Sequence, residues 1–260
     1  MTYETIKLED LAPGVAAVTF NRPDVANALS TQMGHELLDA WTALGARADL
    51  RCVILRGEGK HFQAGADLRE RNGMSDAAWA AQHKVFEDFG QAQLACPVPV
   101  IAAVQGAAMG GGCEMTLLCD FAYAAEGARF GLPEAGLGIM PGLGGTQLLT
   151  RAVGPRRALE IMTTAAPISA EKALDYGIVN GIVAPELLLE TVLAVAVQIA
   201  SRAPLSVRGL KRVVHGGLDL DLKAAMELEL ATYYQLFITA DRREGVASFN
   251  EKRTPVFQGR

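Results

Sequence analysis

The order of apolar and polar residues along the chain predicts strands that alternate with helices. Short apolar runs bounded by turn residues predict strands at Val15–Phe20, Cys52–Arg56, Val98–Val104, Phe121–Ala124 and Ile178–Val183. Apolar residues at helical spacing predict helices at Ser30–Ala48, Asp76–Ala95, Gly112–Cys119, Thr146–Val153 and Pro155–Thr163. The hydroxyl of Ser30 is a good N-cap for the first of these helices. This alternation is typical of an α/β fold with a largely parallel sheet.

The pattern changes near Glu186, after which no strand is predicted up to Asn250. Helical stretches follow one another there, at Glu186–Arg202, Leu205–Val214, Leu220–Ala240 and Arg242–Glu251. A helical tail after an α/β core either packs on a partner subunit or covers its own core. The pattern alone leaves both interpretations open.

Composition narrows the class of protein. A chain of 260 residues, half of them hydrophobic, is long enough for one large domain or a domain with an appendage. The net charge of -5 argues against a nucleic-acid binder, which normally carries a basic excess. No apolar run reaches the roughly 18 residues that cross a bilayer, and the polar N-terminal segment Thr2-Tyr3-Glu4 is unlike a targeting signal. We therefore expect a cytoplasmic protein with no membrane partner.

The four cysteines are predicted to be free thiols. They form no CxxC pair and no metal-ligand grouping with the four histidines of the chain. Small buried hydrophobes in a reducing compartment are the better interpretation. We expect no bound metal and no separate cofactor.

A first candidate segment follows the predicted strand that ends near Arg56. The small residues Ala64-Gly65-Ala66 allow a ligand to approach the backbone closely, at the strand edge where ligands bind in α/β folds. Asp67 is suited to cap a following helix. From spacing alone, an ordinary turn with an N-cap is the favoured interpretation. The segment lacks the lysine and hydroxyl of a phosphate-binding GxxxxGK[ST] loop.

A second candidate is the glycine triplet Gly110-Gly111-Gly112, followed two residues later by Glu114. A buried strand, a glycine-rich bend and a helix in this order place free N–H groups and a carboxylate beside a ligand. The spacing is not the GxGxxG of dinucleotide-binding proteins, which disfavours a nicotinamide-dependent dehydrogenase. Glu114 also has a simpler explanation, because the helix dipole favours a carboxylate in the first turn.

A third candidate is Glu134, which lies among apolar residues and glycines. Burial there would raise the pKa of its carboxyl toward that of a useful general acid. A surface-turn glutamate is the alternative that the sequence does not exclude. No GxSxG elbow occurs, which counts against a serine hydrolase of the α/β-hydrolase kind.

Taken together, these segments resemble the crotonase (enoyl-CoA hydratase/isomerase) superfamily, in particular its enoyl-CoA hydratase branch. The resemblance covers nearly the whole chain and is carried by Ala64–Leu68, Pro99–Glu114, Phe130–Thr146, Ile168–Ala173 and Asp241–Gly245. It implies an α/β spiral of repeated ββα units with a C-terminal helical trimerisation region. Residues 1–198 would then form the core with the active site, and residues 199–260 the helical oligomerisation region of a homotrimer or homohexamer.

The resemblance also implies an acyl-CoA thioester substrate and a set of site residues. The backbone N–H groups of Ala66 and Gly111 would form an oxyanion hole for the thioester oxygen. Glu114 would activate the water that attacks Cβ, and Glu134 would protonate Cα. The segment around these residues would bind coenzyme A, through Ala64, Gly65, Asp67 and Leu68.

Three other functions stay open at this stage. A double-bond isomerase or a specialised hydratase, such as one for carnitinyl-CoA, would use the same fold. Isomerases often dispense with one glutamate, so retention of Glu114 and Glu134 favours hydration. A non-catalytic RNA-binding or scaffold protein on this fold is disfavoured by the acidic balance and by the intact glutamate pair.

Overall fold

The computed structural model describes residues 3–260; Thr2 of the N-terminal segment considered above lies outside this range. The described residues form nine strands: β1 Ile6–Ala12, β2 Val15–Phe20, β3 Cys52–Gly57, β4 Val100–Val104, β5 Ala107–Met109, β6 Phe121–Ala125, β7 Arg129–Gly131, β8 Ile168–Ser169 and β9 Gly181–Val183. Eleven α-helices accompany them: α1 Thr31–Gly45, α2 Leu68–Arg71, α3 Asp76–Leu94, α4 Gly111–Leu117, α5 Gly145–Val153, α6 Pro155–Thr164, α7 Ala170–Asp175, α8 Leu188–Ala200, α9 Pro204–Gly217, α10 Leu222–Leu236 and α11 Ala240–Asn250.

The main sheet has six strands in the order β1-β2-β3-β4-β6-β9. All neighbours are parallel except the edge strand β1, which pairs antiparallel with β2. Every residue of β2 is buried, as expected for an inner strand that is covered on both faces. The predicted parallel α/β arrangement is therefore confirmed.

A second, three-stranded sheet has the order β5-β7-β8. Its strands are two or three residues long, and β5 runs parallel to β7. The β5 strand directly precedes the glycine triplet, so this small sheet fixes where the triplet lies.

Helices cover both faces of the main sheet. On one face Val18, Phe20 and Leu55 join a large buried core with Leu37 and Trp41 of α1. On the other face, alternate residues of the same strands pack against α8, in a cluster that contains Val15, Ala17, Cys52, Ile54, Leu188 and Val192. The period-two alternation of β-strands thus divides the sheet between two apolar layers.

Most of the predicted elements are confirmed, with differences at short or polar segments. The five predicted strands exist, although the last begins at Gly181 and not at Ile178. The strand β1 was not predicted because its outward residues are polar, and β5, β7 and β8 are too short to show a pattern. The predicted helix Leu220–Ala240 is too long, because α10 ends at Leu236 and Thr239 caps α11.

The C-terminal helices α9, α10 and α11 follow α8, whose last turn contains residue 198. Lys211 of α9 donates hydrogen bonds to the carbonyl of Val98 and the carboxylate of Asp120 (3.0 and 2.8 Å), which tethers α9 to the core. Many large apolar side chains of these helices are exposed. The division at residue 198 stays a prediction.

None of the described helices is by itself long and apolar enough to cross a membrane. The segments Pro185–Ala200 and Pro204–Gly217 pass such a test only as a pair, and they are bent by 108° at their junction. The four cysteines are buried free thiols, as predicted. Residues 3–260 contain no group of three or more His, Cys, Asp or Glu side chains that could hold a metal ion.

Candidate active site

A cavity of about 690 Å³ lies where the loops after β3 and β5 meet. It brings together seven of the eight predicted site residues: Ala64, Gly65, Ala66, Leu68, Gly111, Glu114 and Glu134. Asp67 does not line the cavity. Its carboxylate caps α2 by accepting from the N–H groups of Arg69 and Glu70, and it pairs with Arg22 at 3.0 Å. The N-cap interpretation of Asp67 is thus confirmed. Its ion pair with Arg22 holds the loop that contains Ala64–Ala66 from outside the cavity.

The loop that carries Ala66 is fixed by a buried amide. The Gln63 side chain accepts from the Gly65 N–H (2.7 Å) and donates to the Gly65 carbonyl (3.2 Å). On the other side, Leu29 donates to Gly65 and accepts from Asp67, both at 2.9 Å. These bonds pass over Ala66, and no described residue accepts a hydrogen bond from the Ala66 N–H. The Ala66 N–H is therefore an unbonded donor on a residue that lines the cavity.

The three glycines of the triplet have different structural roles. Gly110 has φ 53° and ψ -122°, a conformation essentially restricted to glycine. A Cβ on Gly112 would lie 2.2 Å from the carbonyl oxygen of Gln63, so close packing excludes a side chain there. A Cβ on Gly111 would meet only a methyl group of Leu29, at 3.8 Å. Gly110 and Gly111 both line the cavity, but Gly111 is the one member of the triplet at which a side chain would have room.

Gly111 is also the first residue of α4. The first N–H groups of a helix have no acceptor within the helix. No described residue outside the helix accepts from the Gly111 N–H either. Ala66 and Gly111 therefore both line the cavity, and each has a backbone N–H without an acceptor in the described residues.

Glu114 lies in the first turn of α4 and is 4 % exposed. Its Oε1 atom accepts from the N–H groups of Leu143 and Gly145, at 2.7 and 2.8 Å. Burial raises the pKa of its carboxyl, and these two hydrogen bonds oppose the shift. The structure therefore holds the carboxylate in a fixed orientation with a proton affinity above that of an ordinary glutamate.

Glu134 begins a short 3-10 turn, Glu134–Leu137, and is 8 % exposed. The surface-turn interpretation is therefore wrong. Burial raises the pKa of the Glu134 carboxyl to about 7; its own backbone N–H opposes the shift and the charge of Glu114 adds to it. No described residue donates to its buried Oε2 atom. Such a carboxyl is partly protonated at neutral pH, and one of its oxygens has no hydrogen-bond partner in the described residues.

One wall of the cavity was not predicted from the sequence. It is a face of α3 formed by Trp79, His83 and Phe86, joined by Arg71 at the end of α2. The spacing of four and three residues along α3 is the helical period, but the same spacing describes any core-facing stripe. From the sequence alone, a face that lines a ligand cavity cannot be distinguished from a face that packs on the core.

Comparison with known proteins decides the family. A family model described as enoyl-CoA hydratase/isomerase matches residues 10–260. The chain belongs to the enoyl-CoA hydratase/isomerase family. It is 41 % identical to the crotonyl-CoA hydratase of Syntrophomonas wolfei over 99 % of both chains. It is 39 % identical to the short-chain-enoyl-CoA hydratase of Clostridium acetobutylicum over 92 % of both.

Solved structures agree with this assignment. A crystal structure of an enoyl-CoA hydratase from Bacillus anthracis, 40 % identical, superposes with a TM-score of 0.97 over 99 % of this chain and all of the other. The predicted crotonase fold is confirmed, and the chain is an enzyme of the enoyl-CoA hydratase type.

Proposed function

We propose that this member of the family adds water to a 2-enoyl-CoA thioester and forms a 3-hydroxyacyl-CoA. One observation carries the proposal: two unbonded backbone donors and two buried carboxylates line a single cavity. Hydration of a conjugated thioester needs both the backbone donors and the carboxylates. Negative charge develops on the thioester oxygen, while a base acts at one carbon and an acid at the next.

The N–H groups of Ala66 and Gly111 form the oxyanion hole in this proposal. They bind the thioester oxygen more tightly as negative charge builds on it during attack at Cβ. A donor of this kind is typically worth about 3 kcal/mol of transition-state stabilisation. The Gln63 amide bonds and the close packing at Gly112 hold the donors in place before the substrate arrives.

Glu114 and Glu134 divide the proton transfers. Glu114, oriented by Leu143 and Gly145, takes a proton from the attacking water. Glu134, whose carboxyl has a pKa of about 7, supplies the proton to Cα. The loop residues Ala64, Gly65 and Leu68 contact the coenzyme A part of the substrate, and Asp67 supports them through Arg22.

The proposal is tested by the ultraviolet absorbance of crotonyl-CoA, which is lost when water adds to its conjugated double bond. The purified protein should remove this absorbance without added metal or nicotinamide. No loss with any short or medium 2-enoyl-CoA would contradict the proposal. The same assay distinguishes the alternatives. A gain of this absorbance with 3-enoyl-CoA would indicate an isomerase, and a gain with carnitinyl-CoA would indicate a specialised hydratase acting in reverse.

Alanine substitutions within the triplet separate catalysis from folding. Gly111→Ala should leave the melting temperature within a few degrees of wild type, because the added Cβ meets only Leu29 at 3.8 Å. It should lower kcat/KM about 10²-fold, because a methyl group then stands where the thioester must approach. Gly112→Ala is the matched comparison and should lower the free energy of unfolding by about 1–3 kcal/mol. Equal activities of the wild type and Gly111→Ala would contradict the assigned oxyanion site.

We also propose that the exposed apolar surface of the C-terminal helices packs against further copies of the chain, as a trimer or a pair of trimers. Leu222, Phe249, Leu210 and Ile238 are 77, 83, 66 and 61 % exposed, unusual values for large apolar side chains in an isolated chain. Light scattering should therefore give a native mass of three or six times 27.6 kDa. A monomer at micromolar concentration would contradict this proposal and leave the proposed reaction untouched.

A further inference from the structure

Arg71 is a half-buried cation in the wall of the active-site cavity. Its Cζ atom lies 4.2 Å from the centre of the Trp79 ring and 5.6 Å from that of Phe86. Its Nε donates to the side chain of Gln82 at 2.7 Å. The aromatic rings and the amide therefore hold the guanidinium in one orientation.

The two terminal nitrogens of Arg71 have no partner within residues 3–260. Arg71 takes part in no described ion pair, and the carboxylate of its neighbour Glu70 accepts instead from the Thr31 N–H, at 3.0 and 3.3 Å. Burial lowers the pKa of the guanidinium, and the charge of Glu70 opposes this shift only in part. A rigid, unpaired fork of donors in a ligand cavity is a site for a planar anion such as a carboxylate.

The position of Arg71 relates it to the reacting end of the substrate. Trp79, His83 and Phe86 lie on one face of α3, and Arg71 covers its Trp79 and Phe86 side. His83 lies against Gly142, since a Cβ on Gly142 would be 2.6 Å from the imidazole.

Gly142 immediately precedes Leu143, the residue that orients Glu114. Helix neighbours three or four residues apart are about 5–6 Å from each other. The α3 face that Arg71 covers is therefore linked through His83 and Gly142 to the loop that orients Glu114. Arg71 also lines the same cavity as Glu114 and Glu134, so the far end of an acyl chain held at the two glutamates lies in a cavity that contains the guanidinium.

We propose that Arg71 binds a carboxylate at the distal end of the acyl chain, so that the preferred substrate is a monothioester of an unsaturated dicarboxylic acid. This inference rests on the proposed function and names its substrate class. The phosphates of coenzyme A are the other anions available to Arg71. The acyl carboxylate is favoured because Arg71 lines the same cavity as Glu114 and Glu134. It also packs on the face of α3 whose His83 contacts the loop that orients Glu114.

Binding of saturated thioesters tests the inference without requiring turnover. Calorimetry should show tighter binding of adipyl-CoA, which ends in a carboxylate, than of hexanoyl-CoA, its neutral match. Arg71→Met keeps an apolar side chain against Trp79 and should lower this preference about 10- to 100-fold, the usual effect of removing a hydrogen bond to a charged group. Arg71→Lys should retain part of it, because the charge remains but the fork is lost.

The control variant is Arg69→Met, on the same helix but exposed and outside the cavity, which should keep the wild-type preference. Adipyl- and hexanoyl-pantetheine, which carry no coenzyme A phosphate, should show the same preference and the same loss in Arg71→Met. Equal binding of the two acyl groups by wild type would overturn the inference. So would an Arg71→Met effect that vanishes with the pantetheine thioesters. Failure of the proposed function is a separate result, seen as absent turnover of every enoyl-CoA.

Discussion

Glu114→Gln is expected to lower kcat for crotonyl-CoA hydration by about 10²- to 10⁴-fold, the usual contribution of a positioned general base. A glutamine can still accept the hydrogen bonds from Leu143 and Gly145 through its carbonyl oxygen, so the loop should keep its place. What is lost is the ability to take a proton from water. Steady-state kinetics at saturating crotonyl-CoA measures the effect.

Glu36 provides the matched control. It is also a buried glutamate, at 7 % exposure, but its carboxylate accepts from Thr5 and the Glu4 N–H, outside the cavity. Glu36→Gln should lower the melting temperature and leave kcat of the folded enzyme close to wild type. If Glu114→Gln also kept wild-type kcat, Glu114 would not be the base.

Glu134→Gln is expected to cause a loss of similar size and to change the pH profile of the enzyme. A group that acts as a proton donor is active in its protonated form, which predominates below its pKa. Since the pKa of the Glu134 carboxyl is about 7, wild-type kcat/KM should fall as the pH rises through that value. In Glu134→Gln the residual activity should no longer show this alkaline fall.

The profile distinguishes proton donation from a merely structural role. Loss of packing at Glu134 would lower the rate equally at every pH and would leave the alkaline fall in place. A wild-type profile that instead rises above pH 7 would contradict the assignment of Glu134 as the proton donor.

The sequence predicts the reactive groups of the site better than it predicts the residues that form the cavity walls. Glu114, Glu134 and the glycine triplet are detectable because carboxylates and glycines are rare within apolar segments. The structure brings both glutamates into one cavity with Gly110 and Gly111. The different roles of Gly111 and Gly112 are not detectable. They depend on the backbone of Gln63, which is distant in sequence. Within the triplet, it lies close to Gly112 but not to Gly111.

Strand length and the distance in sequence between paired residues decide which strands are detectable in the sequence. Long inner strands such as β2 are continuous apolar runs and are easily predicted, whereas β7 and β8 owe their existence to pairing with distant residues. Arg71 looks like an ordinary helix-surface charge in the sequence. Its role is inferred from the three-dimensional structure, in which its two terminal nitrogens have no acceptor among residues 3–260, and no local sequence pattern shows this.

Hydration by the two glutamates is tested most directly by the product formed from crotonyl-CoA in water enriched in oxygen-18. If the two carboxylates add water across the double bond, mass spectrometry should show 3-hydroxybutyryl-CoA with one heavy oxygen on carbon 3. The Glu114→Gln/Glu134→Gln double variant should form almost none of this product. A product with a shifted double bond and no heavy oxygen, or full labelling by the double variant, would contradict the account.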